Sequence, residues 1–368
     1  MVTIAAQPNT VLWLIFAVSF VFGAIAQKTH FCTLGAVSDI VNMGNWGRMR
    51  MWLLAIGVAI LGSAALHAAG LIDLGKSIYR TPNFTWLSYL VGGLTFGSGM
   101  VFASGCGAKT LIRIGTGNLK SLVVFVVLGL VAYMTMKGIF GVFRVNVLER
   151  VLISFPGGQD IPALLTAAGM DPKPAFLLAV FAVGGGLTAT CLLNRDFWTF
   201  DNLLGGFGTG LAVVAAWYVS GHIGYLAENP ETLEEAFIAT NSGRMESLTF
   251  VAPQAYALDL LMLWSDTSRK LTFGIASLLG VVAGSGVWAL LTGNFRWEGF
   301  ASLEDTANHL FGAALMGFGG VVAMGCTVGQ GISGFSTLAL GSIITFLAIV
   351  AGAAVTLKFQ YWRLMREA

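Results

Sequence analysis

The chain has 368 residues, 56% of them hydrophobic and only 10% charged, with a net charge of +2 and a mean hydropathy of +0.79. A soluble domain carries about 25% charged residues, so this chain cannot clothe a soluble core. A β-barrel would alternate apolar and polar positions rather than run in apolar blocks, and the near-neutral charge gives no footprint for nucleic acid. The expectation is an all-α polytopic membrane protein with about nine transmembrane helices plus re-entrant half-helices and a pseudo-symmetric internal repeat, forming a single membrane domain over 1–368.

In chain order, Met1 to Thr10 carries no basic residue before the first apolar run and reads as no cleavable signal. Apolar runs of membrane length follow at 11–27, 51–72, 84–105, 121–140, 175–193, 203–220, 271–292, 308–325 and 337–357, with a weaker one at 251–264. A spanning helix needs about 20 apolar residues. Several runs stop at glycine and a polar residue and are followed by a second, half-length piece at 31–43, 106–118 and 326–336. Such breaks survive at membrane depth only where they are buried in protein or line a cavity, which is where transporters place their sites. The segment 141–174 is rich in Pro and Gly and reads as a connection outside the membrane, joining pseudo-repeat halves of about 1–140 and 175–368. Loop 222–252 holds Glu228, Glu231, Glu234, Glu235 and Glu246 against a lone Arg244, whereas Arg48, Arg50, Lys358, Arg363 and Arg366 cluster elsewhere. By the positive-inside tendency the N-terminus lies outside and the C-terminus in the cytoplasm.

One glycine–cysteine phrase occurs twice, from Gly92 to Gly107 and from Gly312 to Thr327. Aligned on Cys106 and Cys326, the copies agree at 7 of 16 positions, among them Gly97/Gly317, Gly99/Gly319 and Gly105/Gly325. The glycines at 97, 99, 317 and 319 read as helix-packing residues. A third break, Gln27-Lys28-Thr29-His30-Phe31-Cys32, opens the chain's first half-length piece. A helix restarting after such a break offers free N–H groups and about half a positive charge, an anion site, and Lys28, Lys109 and Arg113 favour an anionic cargo. A thiol is a weak donor and a soft, polarizable acceptor, so three of them point to a ligand carrying reduced sulfur or selenium. The candidate substrate-binding residues are Cys32, Cys106, Cys326, Gly105, Gly325, Lys109, Gln330 and His30. No catalytic or metal residue and no cofactor is assigned, because the four cysteines form neither a C-x-x-C nor a His–Cys cluster. Cys191, outside any repeat, reads as a small buried hydrophobe. His67, His222 and His309 read as structural or surface residues, Thr327 and Gln330 as ligands or caps, and Asp259 as either an interfacial residue or a proton-coupling one.

The phrases Gly23-x8-Cys32-x2-Gly35, Gly97-x-Gly99-x5-Gly105-Cys106 and Met316 to Gly331 around Gly325-Cys326 resemble the three signatures of the YeeE/YedE family of bacterial inner-membrane sulfur-compound transporters. The resemblance implies an hourglass of pseudo-symmetric halves with half-helices entering from both faces. It also implies a central path on which thiosulfate passes from thiol to thiol at Cys32, Cys106 and Cys326. The chain departs from the family pattern at Lys28-Thr29-His30, at Ser104 and Met324, where the family often has the first Gly of Gly-Gly-Cys, and at Lys109 and Arg113. These departures leave the fold reading intact and keep a related sulfur or selenium species open as the cargo. Other readings are a membrane thiol oxidoreductase or sulfurtransferase, and a subunit that docks a cytoplasmic sulfur-carrier protein. The partners expected are the small anion, the lipid bilayer and that carrier.

Overall fold

The computed structural model of the protein describes residues 7–229 and 233–367; Glu231 of the acidic loop and residues 1–6 of the uncharged N-terminal stretch lie outside them. The fold is almost entirely helical. Helix α1 (Pro8–Lys28) is followed by half-helix α2 (Thr33–Met43) and α3 (Gly47–Ala68). Helix α4 (Trp86–Phe102) is followed by half-helix α5 (Gly107–Gly115) and α6 (Leu119–Lys137). Helices α7 (Pro172–Leu192) and α8 (Phe200–Ile223) precede half-helix α9 (Ala252–Met262) and α10 (Phe273–Leu291). Helix α11 (Leu303–Val322) leads into a third thiol-bearing half-helix, wound as a π-helix over Gly329–Gly334, and the chain ends with α12 (Leu340–Glu367). Two strand pairs, β1 (Asn83–Phe84) with β2 (Ile153–Ser154) and β3 (Tyr225–Leu226) with β4 (Ala236–Phe237), are antiparallel clips in the connections.

Eight of the described segments are long and apolar enough to cross a membrane. Helix α11, whose first turn carries Glu304 and Asp305, is not among those eight; its 20 residues lie packed between α4 and α6. Contacts at the helix ends sort the molecule into two faces. Lys28 at the end of α1 lies over the rings of Phe200, at the start of α8, and Trp288, near the end of α10. Asn118, just before α6, bonds to Glu298 on the same face. On the opposite face the backbone of Leu71, after α3, meets His222 at the end of α8. The first described helix therefore starts on this second face, and α12 ends on the first.

Packing pairs recur with opposite direction. Helix α1 packs on α10 as α8 packs on α3; α4 packs on α12 as α11 packs on α6; and α4 crosses α11. That last crossing is made by the two copies of the repeated phrase. A Cβ on Gly99 would stand 2.7 Å from the Gly312 carbonyl, and one on Gly312 would stand 2.6 Å from the Gly99 carbonyl. Gly92 and Gly319 meet in the same reciprocal way, at 2.8 and 2.6 Å. Gly97 and Gly317 face the flanking helices, at 2.1 Å from the Ile349 carbonyl and 2.6 Å from the Leu128 carbonyl. In a bilayer, where apolar burial gives helices no driving force, such backbone contact supplies dispersion and close fit. Helix α7 stands apart from these pairs and packs on α3. There Cys191, 1% exposed, donates to the Arg50 carbonyl at 3.3 Å, a packing role.

Candidate functional site at four half-helix starts

Each of the three cysteine motifs is built on the same local break. The residue two before the cysteine adopts the left-handed conformation: His30 at φ 51°, Ser104 at 55° and Met324 at 59°. The next N–H reaches five residues back, Phe31 to Ala26 O at 3.0 Å, Gly105 to Met100 O at 3.0 Å and Gly325 to Gly320 O at 2.7 Å. This is the 6→1 bond of a Schellman cap, whose left-handed position usually takes glycine. The departures Ser104 and Met324 therefore fall on the one backbone position per break where a side chain costs conformational energy.

The cysteine then starts the next half-helix. Cys32 and Cys106 are the residues immediately before α2 and α5, both with extended backbone. Cys32 Sγ accepts from the Gly35 N–H at 3.5 Å, and Cys326 Sγ accepts from the Gly329 N–H at 3.3 Å. Sulfur here takes the place a hydroxyl or carboxylate oxygen normally fills at a helix start. Cys106 and Cys326 are 2% and 0% exposed, and Cys32 is half-buried; all four cysteines are free thiols.

Packing brings the three starts together and adds a fourth. Cys106 has the Cys32 and Cys326 thiols and the Thr327 hydroxyl in its electrostatic surroundings. Lys109 lies near Cys32 and Cys106, with Arg113 and Arg48 on the same side, and among the described residues no carboxylate pairs with its ammonium. The fourth start is α9, which begins after Thr249, Phe250 and Val251 and carries no cysteine. Gln254 of α9 donates to the Phe250 carbonyl at 2.6 Å and to the Gly107 carbonyl of α5 at 3.4 Å. Cys326 is faced by the Phe250 N–H and the Thr249 hydroxyl from the same segment. Thus α2 and α5 enter from the first face and α9 and the Gly329–Gly334 half-helix from the second. From the second face a cavity of about 490 Å³ reaches in to Thr249, Met324 and Gly325 past Lys137, Arg144 and Arg244.

The remaining sequence candidates fall as follows. Gly105 and Gly325 are buried at the breaks; a Cβ on Gly105 would meet the Lys109 stem at 3.3 Å, and Gly325 has φ 158°. Gln330 donates to the Ala323 carbonyl at its own break and leaves Oε1 without a partner among the described residues. Arg113 does the equivalent work at the second break, donating to the Ser104 carbonyl at 2.8 Å. His30 is exposed at its turn, two residues before Cys32. Lys28 is held by aromatic rings at the first face. His67 and His309 bond to nearby backbone carbonyls, and Asp259 pairs with Arg269 at 3.0 Å. That pair mirrors Asp39–Arg48 on the other side of the molecule. The Asp–Arg correspondence and Pro253 in the first turn of α9 were the available sequence signals for the fourth half-helix; its lack of a cysteine hid it.

A family model described as sulphur transport matches residues 28–355. The thiosulfate transporter TsuA of Escherichia coli K12 is 27% identical over 354 residues, covering 94% of this chain and 94% of that protein. The thiosulfate transporter TsuA of Spirochaeta thermophila is 22% identical over 353 residues, covering 93% and 96%. A protein named probable transporter YedE, of Escherichia coli K12, is 25% identical over 193 residues, or 52% of this chain and 40% of that protein.

Proposed function

This chain belongs to the sulphur-transport family, and from that premise we propose that it takes up thiosulfate across the bacterial inner membrane along a path lined by Cys32, Cys106 and Cys326. The observation that carries this reading is the convergence of three free thiols, each at the start of a half-helix, two entering from one face and one from the other. A doubly charged anion loses its hydration on entering a membrane protein at a cost of several kcal/mol or more. Half-helix N–H groups and their partial positive charge replace part of that shell. Thiols replace the contacts made by the terminal sulfur, as soft donors and acceptors of modest strength. Modest strength suits conduction, in which each site must release what it binds.

In this reading the half-helices belong to two halves, about 1–140 and 175–368, related by an axis in the membrane plane; the segment 141–174 connects them on the second face. The cargo enters from the second face through the 490 Å³ cavity, meets Cys326, and leaves past Cys106, Cys32 and Lys109 towards the first face. The first face is cytoplasmic, supported by Lys28, Arg48, Arg50, Lys120, Lys358 and Arg366 near it. There a cytoplasmic sulfur-carrier protein receives the anion.

The test is uptake of labelled thiosulfate in cells lacking other importers. Cys106→Ala and Cys326→Ala are expected to abolish uptake at unchanged membrane abundance, and Cys191→Ala to retain it. Normal uptake in both of the first two variants would overturn the thiol path. A sulfurtransferase would leave a stoichiometric persulfide or S-sulfonate on Cys106 or Cys326 during turnover; a non-covalent path leaves the intact mass unchanged.

A further inference from the structure

Beside Cys326 lies a group of hydroxyls that the thiol path does not use. Tyr79 comes from the connection between α3 and α4, not from any cysteine motif, and is 3% exposed. Its ring stands edge-on to Trp217 at 6.2 Å, and Trp217 is fixed by its indole N–H bonding to Ser336 Oγ at 3.0 Å, just after the Gly329–Gly334 half-helix. The phenol is therefore held by packing, yet among the described residues its oxygen has no hydrogen-bond partner. Its surroundings are the Cys326 thiol, the Thr249 hydroxyl and Glu246; the Thr249 hydroxyl faces the phenol without completing a bond of ordinary geometry. Thr249 also faces Cys326. A Cβ on Gly329 would stand 2.5 Å from Thr249 Oγ1, so glycine there leaves the room that the hydroxyl occupies. One residue past Cys326, Thr327 is 0% exposed, and its hydroxyl faces the Cys106 thiol without completing a bond of ordinary geometry to any described residue.

A buried hydroxyl without a partner gives up its hydration with no bond in return. Two of them beside two thiols and two half-helix starts indicate a ligand that supplies the missing acceptors. Burial pushes the Tyr79 phenol well above its usual range, so it stays a donor.

We propose that Tyr79, Thr249 and Thr327 form an oxyanion subsite beside Cys326 and Cys106, which holds the oxygen-bearing end of the transported anion while the thiols hold its terminal sulfur. The ligand class is a small oxyanion carrying one soft atom, and the proposal rests on the transport reading above. The two sides of the path then differ in chemistry. On the second face the oxygens are read by neutral hydroxyls, and on the first face charge is met by the unpaired Lys109. The side chains best placed to separate such an anion from sulfide-like cargo are these hydroxyls, and no cysteine replacement reports on them.

The test compares thiosulfate uptake by purified protein in liposomes for Tyr79→Phe, Thr249→Val, Thr249→Ser and the parent. Loss of one hydrogen bond to a charged acceptor is expected to raise KM about tenfold in Tyr79→Phe and in Thr249→Val, with the maximal rate within about threefold. Thr249→Ser, which keeps the hydroxyl, is expected to recover most of the loss seen with valine. KM unchanged in both Tyr79→Phe and Thr249→Val overturns the subsite, as does a serine variant as impaired as valine. Melting temperature, read on the same samples, assigns a uniform loss of folded protein to packing and so also counts against the subsite. Cys106→Ala and Cys326→Ala run in parallel. Uptake surviving in both overturns the thiol path itself. Uptake lost in both, with KM normal in Tyr79→Phe and Thr249→Val, overturns the hydroxyl subsite and leaves the path standing.

Discussion

Ser104 shows how a single backbone conformation exposes the design of the site. It sits at the left-handed position of the α4 cap with φ 55°, exposed to solvent, while its carbonyl accepts from Arg113. For an L-residue this conformation costs about 1–2 kcal/mol, offset in a glycine variant by about 0.5–1 kcal/mol of extra unfolded-state entropy. Ser104→Gly is thus expected to melt at or slightly above the parent temperature. Ser104→Val, β-branched where β-branching is least tolerated, is expected to lose about 2 kcal/mol; equal melting of the two variants would refute the strain argument. The position was visible in the sequence as a departure from Gly-Gly-Cys, but its meaning required the backbone angle. Thr249 and Tyr79 carried no sequence signal, because neither stands within a repeated motif and their neighbour Cys326 is more than 70 residues away in the chain.

Among the elements, the α4–α11 crossing binds the two repeats into one body. A Cβ on Gly319 would stand 2.5 Å from the Phe96 amide nitrogen; the obstacle is backbone, which cannot rotate away as a side chain can. Gly319→Val is expected to force the helices apart at a cost of about 1–3 kcal/mol or more. Because both half-helix starts hang from these helices, uptake should fall along with thermal stability in detergent. Gly97→Val should behave alike at the α4–α12 contact, where the obstacle is the Ile349 carbonyl at 2.1 Å. Full stability of Gly319→Val would show the crossing to be looser than these contacts imply. The half-helices were legible as short apolar pieces after a break wherever a cysteine marked them. The fourth, α9, was seen only as a weak apolar run, since it follows the irregular segment 245–251, whose burial comes from packing against α1, α8 and the Gly329–Gly334 half-helix.

At the scale of the molecule, the two described ends lie on opposite faces, α1 starting on one and α12 ending on the other. With the first face cytoplasmic, a phosphatase reporter inserted at Gly243 in the β4–α9 connection is expected to be active outside. The same reporter at the C-terminus is expected to be inactive. The reverse pattern would invert the direction of the path, and with it the order in which the cargo meets Cys326 and Cys106. Opposite direction of the paired helices sets half-helix starts from both faces against one another, with different residues after each cysteine.

Composition and the spacing of apolar runs determined the membrane class, the helix order and the existence of breaks, because the bilayer forces every backbone group into helices of a fixed length. The repeated phrase marked two of the three thiols for the same reason: close helix crossing admits little but glycine. Which groups surround those thiols was decided by tertiary structure alone. Burial, the inverted pairing of helices and the approach of Thr249 and Tyr79 to Cys326 depend on segments distant in the chain, and local pattern carries no information about contacts made across the fold.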